Sequence, residues 1–461
     1  MLGRLATIGA RCPRVARIGN RTNNHLSSRQ FARNLASVAS IAVQTSSTPH
    51  GLDAKSPTRP RHVESAPSFH PTPRITVPAL DSPLPKIIDG SLYVPTRSGW
   101  TKASGRWLRD ICSSPQSRNQ DTSQRQINVL KLGKNCDVAG VSQLGDSFQV
   151  TFADGHQSLY SMASLMDRSN PALKQKRAGV IPIITWKASI ESQPPTVEYA
   201  NMPSVSGMKE LMTKLRTYGF TFIDNMPATP EASKQLLETI GPIRNTHYGG
   251  FYDFTSDLSS KDTAYTSESL EPHTDNTYFT EPAGLQALHM LSHTDGSGGE
   301  SSLVDGIGAA EQLYEQDREA YRILSQTSVY AHASGNDGIS IQPAFAFPTL
   351  SHDPELGHLI QVRWNNADRA GVVAEHDELD RWYDAAAKFD ALLCDPKNAY
   401  WFQLKPGKML IFDNWRVLHG RAAFTGKRRM CGAYINRDDY ISKFRMSTLS
   451  EEEIRGSTVT G

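Results

Sequence analysis

A buried strand that ends in a loop with one histidine is the feature that constrains the fold of this chain most. Residues 408–412 (KMLIF) are a short apolar run typical of a buried strand. The loop after it, residues 413–425, carries His419 and several cationic side chains. Far upstream stands His273-Thr274-Asp275. If these ligand-type residues serve one site, two segments remote in sequence must become neighbours in the fold.

Two histidines and one aspartate are the ligand set of non-haem iron(II) oxygenases. Two neutral imidazoles and one carboxylate occupy one face of an octahedron, and the other positions stay open for O₂ and substrate-derived ligands. His273 and Asp275 on an extended turn can bind one metal ion, and His419 supplies the third ligand. Taken alone, His419 is equally well a core imidazole bonded to backbone.

The chain contains a second His-x-Asp pattern, His293-Thr294-Asp295, so the sequence requires a choice. This second pair lies in the Gly-rich segment 292–299 between two apolar strands, which favours a hairpin turn at the surface. Tyr278 and Phe279 follow the first pair, and aromatic side chains beside polar ligands suit a pocket wall. We therefore assign the metal to His273 and Asp275.

Arginines cluster after His419, at positions 421, 428 and 429. A guanidinium group pairs with a carboxylate through two parallel hydrogen bonds. The dicarboxylate 2-oxoglutarate would chelate the iron at one end and need such a partner at the other. Composition does not choose among the three, because each is more often a solvated surface charge.

The first 52 residues differ from the rest because they contain seven arginines and no Asp or Glu. This composition predicts a mitochondrial transit peptide, assigned to residues 1–35, and a location in the mitochondrial matrix; the alternative is a disordered basic tail.

Without the seven arginine charges of the first 52 residues, the net charge of the chain changes from +2 to about −5, which argues against a nucleic-acid partner. No apolar run approaches the ~20 residues that span a bilayer, so no membrane partner is expected.

The rest of the chain divides by composition and periodicity. The predicted parts are a disordered linker (36–84), a small N-terminal β-rich domain (85–175), a larger domain (180–450) and a tail (451–461). In the small domain Phe148, Val150 and Phe152 alternate with polar residues before an Asp154-Gly155 hairpin turn. In the larger domain helical spacing appears over 208–215, 232–240 and 379–393, among segments with the pattern of strands.

The chain resembles the γ-butyrobetaine hydroxylase and trimethyllysine dioxygenase family of Fe(II)/2-oxoglutarate oxygenases over about residues 95–450. The segments that carry the resemblance are residues 262–266, 273–282, 303–306, 365–370 and 404–426. Residues 414–421 (NWRVLHGR) are the most specific of them. The resemblance implies an α+β, mainly β fold. Its catalytic domain would be a double-stranded β-helix (jelly roll) with flanking helices, preceded by a small β-rich N-terminal domain.

The resemblance also implies an activity: hydroxylation of N6,N6,N6-trimethyllysine at C3, the first step of carnitine synthesis, with 2-oxoglutarate converted to succinate and CO₂. It implies Fe(II), 2-oxoglutarate as cosubstrate, ascorbate as reductant, a small-molecule substrate and a homodimer. Two alternatives stay open. One is the same chemistry on γ-butyrobetaine, and the other is a non-catalytic jelly roll that binds a methylated ligand.

Carried over position by position, the resemblance assigns roles to individual residues. His273, Asp275 and His419 match iron ligands, and Arg428 and Ser301 match the residues that bind 2-oxoglutarate. A trimethylammonium group cannot donate hydrogen bonds, so aromatic faces bind it. The matching positions for the substrate are Tyr248, Tyr252 (usually Trp in the family), Tyr265 and the acidic Asp262, with Asn365 and Asn366 as candidates for its other end.

This sequence differs from the family at the positions of a structural zinc site. Relatives often bind a structural zinc ion in the N-terminal domain through three Cys and one His. Cys112 and His156 match two of these ligands, but Ser114 and Ser117 stand at the other two positions. Two ligands do not close a tetrahedral site, so we expect no structural zinc. The five Cys are scattered without a C-x-x-C pattern, which also argues against a disulfide scaffold.

Overall fold

The computed structural model describes residues 84–96, 99–166, 181–255, 266–334, 338–354 and 356–460. The predicted transit peptide and, but for Leu84, the predicted linker lie outside these residues. Within the described ranges, no helix has the length and apolar composition needed to cross a membrane.

The N-terminal domain contains two antiparallel three-stranded sheets. Its elements are β1 (Lys86–Ile88), β2 (Ser91–Thr96), β3 (Gly99–Ser104), α1 (Gly105–Asp110), 3₁₀ turns at Val129–Lys131 and Gly133–Cys136, β4 (Val138–Leu144), β5 (Ser147–Phe152), β6 (Gln157–Ser161) and α2 (Met162–Met166). The alternating Phe148, Val150 and Phe152 of β5 are buried. Gly155 has a φ of 82° in the turn to β6, a conformation that favours glycine. The predicted hairpin is confirmed.

The larger domain contains the remaining elements. Its strands are β7 (Thr196–Glu198), β8 (Phe220–Asp224), β9 (Tyr252–Thr255), β10 (Leu270–His273), β11 (Leu285–Thr294), β12 (Ser301–Asp305), β13 (Ser328–Val329), β14 (Ala333–Ser334), β15 (Ser340–Ile341), β16 (Phe347–Pro348), β17 (Leu350–His352), β18 (Leu359–Val362), β19 (Ala399–Phe402), β20 (Met409–Asp413), β21 (Val417–Arg421) and β22 (Lys427–Ile435). Its helices are α3 (Val205–Tyr218), α4 (Pro230–Ile240), α5 (Gly306–Gln316), α6 (Arg318–Gln326), α7 (His376–Leu393), α8 (Arg437–Thr448) and α9 (Glu451–Thr460), with 3₁₀ turns at Ala188–Ser192 and Tyr199–Asn201. The three helices predicted from periodicity are confirmed as α3, α4 and α7.

Two sheets build the jelly roll. The larger has the strand order β7-β8-β20-β11-β22-β9, and the smaller has the order β10-β21-β12-β19. Apolar side chains from both sheets form one buried cluster, among them Phe220, Phe412 and Met430 from the larger sheet and Leu303 and Tyr400 from the smaller. Burial of these large side chains stabilises the sheets by about 1.5–3 kcal/mol per residue. The mainly β jelly-roll fold with flanking helices is therefore confirmed.

Each of the two sheets packs against its own group of three helices. The apolar faces of α3, α4 and α8 share a core cluster with β20 of the larger sheet. Helices α5, α6 and α7 form a second cluster that includes Val304 of β12 and Leu418 of β21. Val304 and Leu418 lie on strands of the smaller sheet, and β21 also carries His419, so these helices support a strand that carries a candidate ligand.

The predicted C-terminal tail forms helix α9 and contacts the N-terminal domain. Val459 belongs to the buried cluster that contains Leu108 and Phe148. The Arg455 guanidinium donates to Gln120 Oε1 at 3.1 Å. The end of the chain thus closes part of the core of the small domain.

The four positions that match the family's zinc site, Cys112, Ser114, Ser117 and His156, lie close together, but only two of them are residues of the type that binds zinc. Cys112 Sγ lies 3.3 Å from His156 Nε2 and 3.2 Å from Ser114 Oγ, and Ser114 also contacts Ser117. Two ligand-type side chains among hydroxyl groups do not supply four zinc ligands. The expectation that no zinc binds here stays a prediction.

Candidate active site

Antiparallel pairing of β10 with β21 brings the two remote histidines together. His273, the last residue of β10, lies directly opposite His419 on β21. The His273 and His419 rings are 4.2 Å apart between centroids, and Asp275 follows in the next turn. One ligand atom from each of the three residues lies within 4.8 Å of the others. Within the described ranges this is the one group of His, Cys, Asp or Glu with such geometry.

Hydrogen bonds leave three atoms of this group available for a metal ion. His273 Nδ1 donates to the carbonyl oxygen of Glu271 at 2.8 Å, so Nε2 is the ring nitrogen that faces Asp275. Asp275 Oδ2 accepts the Tyr434 hydroxyl hydrogen at 2.5 Å. Asp275 Oδ1 lies 3.3 Å from His273 Nε2 and 4.0 Å from His419 Nε2. Two imidazole nitrogens and one carboxylate oxygen therefore converge, as a facial iron(II) site requires.

The charges in this cluster favour the metal-binding forms of Asp275 and His419. Burial raises the pKa of Asp275, but the charge of His419 and the hydrogen bond from His273 outweigh it and hold that pKa well below its usual range. Burial lowers the pKa of His419 to about 3, and the charge of His273 adds to the shift. An ionised carboxylate and a neutral imidazole are the forms that bind a metal. Burial lowers the pKa of His273, but the hydrogen bond to Asp275 and its charge outweigh burial and raise that pKa, so a metal ion must displace a proton from His273.

Asn414 positions the backbone of Asp275. Its side-chain Oδ1 accepts from the Asp275 N–H at 2.8 Å, and its Nδ2 donates to the Asp275 carbonyl at 2.9 Å. Nδ2 also donates to the Ala283 carbonyl at 3.1 Å. Ion pairs on either side of Asn414, Asp413 with Arg437 and Arg416 with Asp305, fix the turn that carries it. A single buried amide thus holds both backbone groups of a candidate ligand.

We expect Asn414→Ala to weaken iron(II) binding by about 10- to 100-fold, as changes in the groups that orient metal ligands do. The change leaves the Asp275 N–H and the Ala283 carbonyl without their partner, so Asp275 loses its fixed direction. Metal affinity is measured by titration of the metal-free protein. Asn414→Asp, which keeps the oxygen acceptor and loses the donor, should fall between wild type and alanine. Unchanged iron affinity in the alanine variant would contradict the positioning role.

The three candidate ligands open into a cavity of about 350 Å³. The polar and charged residues that line it include Ser301, Arg421, Arg428, Glu271 and Asp368, in addition to the ligands. Its aromatic lining residues are Tyr248, Tyr252, Phe254, Tyr278, Trp364 and Tyr434. The cavity has the size of a small-molecule site.

Arg428 is the arginine best placed to bind an anion in this cavity. It is 3% exposed, and among the described residues no carboxylate lies within ion-pair distance of its guanidinium. Burial lowers the pKa of Arg428 to about 10, and the nearby charge of Arg421 adds to the shift. Arg421 donates to the carbonyls of Thr266 and Glu268, and Arg429 is paired with Asp253 at 2.6 Å. Buried Ser301 lines the same cavity and offers a hydroxyl group.

Tyr248 and Tyr252, the described positions that match the family's substrate site, both line the cavity, and their substrate role stays a prediction. The Tyr252 hydroxyl donates to the Ala287 carbonyl at 2.7 Å, which fixes its ring. Gly432 pairs with Tyr252 across the sheet, and a Cβ at Gly432 would lie 2.7 Å from that hydroxyl oxygen. Glycine is therefore needed for Tyr252 to occupy this position. Tyr265 and Asp262 lie outside the described residues, so their roles stay predictions.

Tyr434 is a site residue that the sequence reasoning missed. Its ring lies 5.9 Å from the Tyr252 ring, and its hydroxyl contacts Asp275. The two-residue repeat of β22 could have identified Tyr434. Arg428 and Tyr434 are both even-numbered residues of β22, and side chains two residues apart in a strand point to the same face. A strand that brings Arg428 to the cavity brings Tyr434 there as well.

Asn365 and Asn366 line the cavity. His293 is at the end of β11 opposite Arg428, where its Nε2 donates to the Thr425 carbonyl at 2.9 Å. It is not part of the metal-type group, as predicted. The predicted hairpin is wrong, because β11 and β12 belong to different sheets and His293 itself lies in β11.

Comparisons with known proteins agree with this arrangement. Residues 186–434 match the family described as "Taurine catabolism dioxygenase TauD, TfdA family", and residues 96–166 match "Gamma-butyrobetaine hydroxylase-like, N-terminal". The chain is 39% identical to trimethyllysine dioxygenase of Neurospora crassa, over 84% of this chain and 88% of that protein. It is 38% identical to the mitochondrial trimethyllysine dioxygenase of Homo sapiens, over 74% of this chain and 81% of that protein.

Proposed function

Because the chain belongs to the trimethyllysine dioxygenases of the TauD, TfdA family, we propose that it hydroxylates N6,N6,N6-trimethyllysine at C3 with 2-oxoglutarate as cosubstrate. One observation carries the proposal: a single cavity contains the His273, Asp275 and His419 group, a buried arginine and a wall of tyrosines. These three parts suit a metal, a dicarboxylate and a quaternary ammonium group in that order.

The residues of the chain hold and orient the reactants. His273, Asp275 and His419 would hold iron(II), and Tyr434 and Asn414 keep the Asp275 carboxylate directed at it. The Arg428 guanidinium and Ser301 hydroxyl would bind the far carboxylate of 2-oxoglutarate. The faces of Tyr248 and Tyr252 would bind the trimethylammonium group, which offers no hydrogen-bond donor. Holding both reactants at one centre lowers the entropic part of the barrier.

Bound iron(II) supplies the oxidative chemistry. One oxygen atom of O₂ enters succinate as 2-oxoglutarate loses CO₂, and the other enters the C3–H bond of the substrate as a hydroxyl group. Ascorbate would serve as reductant. Aromatic side chains in the cavity lining would keep bulk water from the reacting carbon once the substrate is bound, which would strengthen the electrostatic contacts inside the cavity.

Substrate-dependent succinate release tests the proposal. Purified protein is incubated with Fe(II), 2-oxoglutarate and ascorbate, and with trimethyllysine, γ-butyrobetaine or no substrate. We expect trimethyllysine to stimulate succinate release and to gain one oxygen atom by mass spectrometry, with kcat/KM at least about tenfold above that for γ-butyrobetaine, the effect of one charge-assisted hydrogen bond. A higher kcat/KM for γ-butyrobetaine would assign the chain to that substrate, and no stimulation by either would favour a non-catalytic binding protein.

We also propose a mitochondrial matrix location and a homodimer. The location is supported by the mitochondrial names of animal relatives and by the Arg-rich, acid-free first 52 residues. A fluorescent fusion of those residues that stays outside mitochondria would contradict it. The homodimer rests on the family resemblance, and the mass in solution by light scattering tests it. The absence of nucleic-acid and membrane partners stays a prediction.

A further inference from the structure

A turn that carries an aspartate follows β18 and lines the cavity. Residues 365–368 all contribute to the cavity wall. The residue before them, Trp364, is tied to Thr274, because the Thr274 N–H donates to the Trp364 carbonyl at 2.7 Å and the Trp364 N–H donates to Thr274 Oγ1 at 3.1 Å. Thr274 lies between His273 and Asp275. The turn is therefore fixed directly beside the candidate metal ligands.

Hydrogen bonds within the turn aim the carboxylate of Asp368. Asn365 Nδ2 donates to Asp368 Oδ2 at 2.8 Å, and Asn365 Oδ1 accepts from the Ala367 and Asp368 N–H groups at 3.1 and 3.3 Å. From outside the turn, the His332 N–H donates to the Asp368 carbonyl at 2.9 Å. Both polar atoms of the Asn365 amide therefore make hydrogen bonds within the turn. These bonds hold the half-buried Asp368 carboxylate at the cavity wall.

The neighbouring amide has a different arrangement. Asn366 Oδ1 accepts from Nη2 of Arg369 at 3.2 Å, which leaves the Asn366 Nδ2 hydrogens without a partner among the described residues. Asn366 is exposed and lines the cavity. A carboxylate at Asp368 and amide donors at Asn366 are therefore offered side by side. That pair is complementary to the ammonium and the carboxylate of an α-amino acid.

The cavity lining also contains two cations, Arg421 and Arg428. Arg428 precedes Tyr434 by six residues on β22, about 20 Å of strand at ~3.3 Å per residue. Tyr434 contacts Asp275, and the 365–368 turn is tied to Thr274 beside the same ligand, so the turn lies near the Tyr434 end of β22 and not near Arg428. A dicarboxylate suits the side of Arg428, and a cation suits the side of Asp368.

The proposed substrate carries two cationic groups of different chemistry. The trimethylammonium group has no N–H donor and suits the faces of tyrosines. The α-ammonium group has three N–H donors and is satisfied by a carboxylate acceptor. We propose that Asp368 binds the α-ammonium group of the substrate and selects an amino acid over a betaine that lacks this group. This inference rests on the proposed function and adds the residue that determines its specificity.

The test compares two substrates that differ only at the α-amino group: trimethyllysine and 6-(trimethylammonio)hexanoate. In Asp368→Asn the side-chain oxygen can still accept from Asn365, so the turn keeps its hydrogen bond while the charge is lost. We expect the KM for trimethyllysine to rise about 10- to 100-fold, the range for a lost hydrogen bond to a charged group. We expect the KM for the des-amino analogue and the KM for 2-oxoglutarate to stay within about twofold of wild type. Thermal unfolding verifies that the variant folds.

Glu271→Gln is the matched variant, because Glu271 is another carboxylate that lines the cavity. A selective loss for trimethyllysine in Glu271→Gln, with none in Asp368→Asn, would overturn the inference. Equal losses for both substrates in Asp368→Asn would also overturn it, because Asp368 would then act on the trimethylammonium group or on the fold. If wild-type protein does not turn over trimethyllysine, the proposed function fails. If it does and Asp368→Asn shows no selective loss, only this inference fails.

Discussion

Replacing His419 with alanine is expected to lower the rate of succinate release by at least about 1000-fold. Losses of this order follow when an essential active-site group is removed. His419 supplies one of three convergent ligand atoms, and its partner across the strand pair is His273. With the imidazole gone, one His and one Asp remain, which do not form a facial triad. Iron content after loading with Fe(II) should fall together with the rate of 2-oxoglutarate decarboxylation.

His293→Gln is the control for that experiment because it removes the histidine of the other His-x-Asp pattern. The His293 ring donates to the Thr425 carbonyl, and the amide of glutamine can make a similar hydrogen bond. We expect the rate and the iron content of this variant to stay close to wild type. Retained turnover in His419→Ala, or a loss in His293→Gln equal to that in His419→Ala, would disprove the choice between the two patterns.

The sequence was sufficient for the features that depend on strand period, turn chemistry and specific motifs. Glycines at 296, 298 and 299 predicted a turn after the second His-x-Asp pair, and Gly298 and Gly299 have φ of 83° and 71°, a conformation that favours glycine. That turn connects two sheets and is not the predicted hairpin, because hairpin pairing depends on the tertiary fold. The apolar run before residue 413 predicted the buried strand β20. Period-two alternation predicted the hairpin of β5 and β6. These signals are local, so a single sequence contains them.

The features that escaped prediction depend on contacts between distant segments. Asn414 belongs to a recognised motif, yet nothing in the motif reveals that its amide binds the backbone of Asp275. Nor does the sequence indicate that the turn at Asp368 is tied to Thr274 through Trp364. Helix α9 was expected to be a tail because its sequence does not show which core Val459 would join. Each case needs the tertiary fold before the local residue acquires its role.

Arg428→Met is expected to weaken 2-oxoglutarate binding by about 2–5 kcal/mol, roughly 30- to 5000-fold, as loss of one partner of a buried charge pair does. In the protein without ligand, the Arg428 guanidinium is buried beside another cation, Arg421, and among the described residues no carboxylate pairs with it. The anionic cosubstrate would supply the missing charge. The KM for 2-oxoglutarate should therefore rise steeply, with a much smaller effect on substrate binding.

Although Arg428→Met should weaken 2-oxoglutarate binding, it should increase the stability of the ligand-free protein. A buried cation without a carboxylate partner costs desolvation energy, and a methionine of similar length packs against Phe424 without that cost. We expect the unfolding temperature without ligand to rise by about 2 °C, the effect of roughly 1 kcal/mol, and the further rise that 2-oxoglutarate gives wild type to be lost. Arg429→Gln, which removes only the exposed pair with Asp253, should leave both quantities unchanged. If Arg428→Met instead lowers the unfolding temperature and keeps the response to 2-oxoglutarate, Arg428 supports the fold and another group binds the cosubstrate.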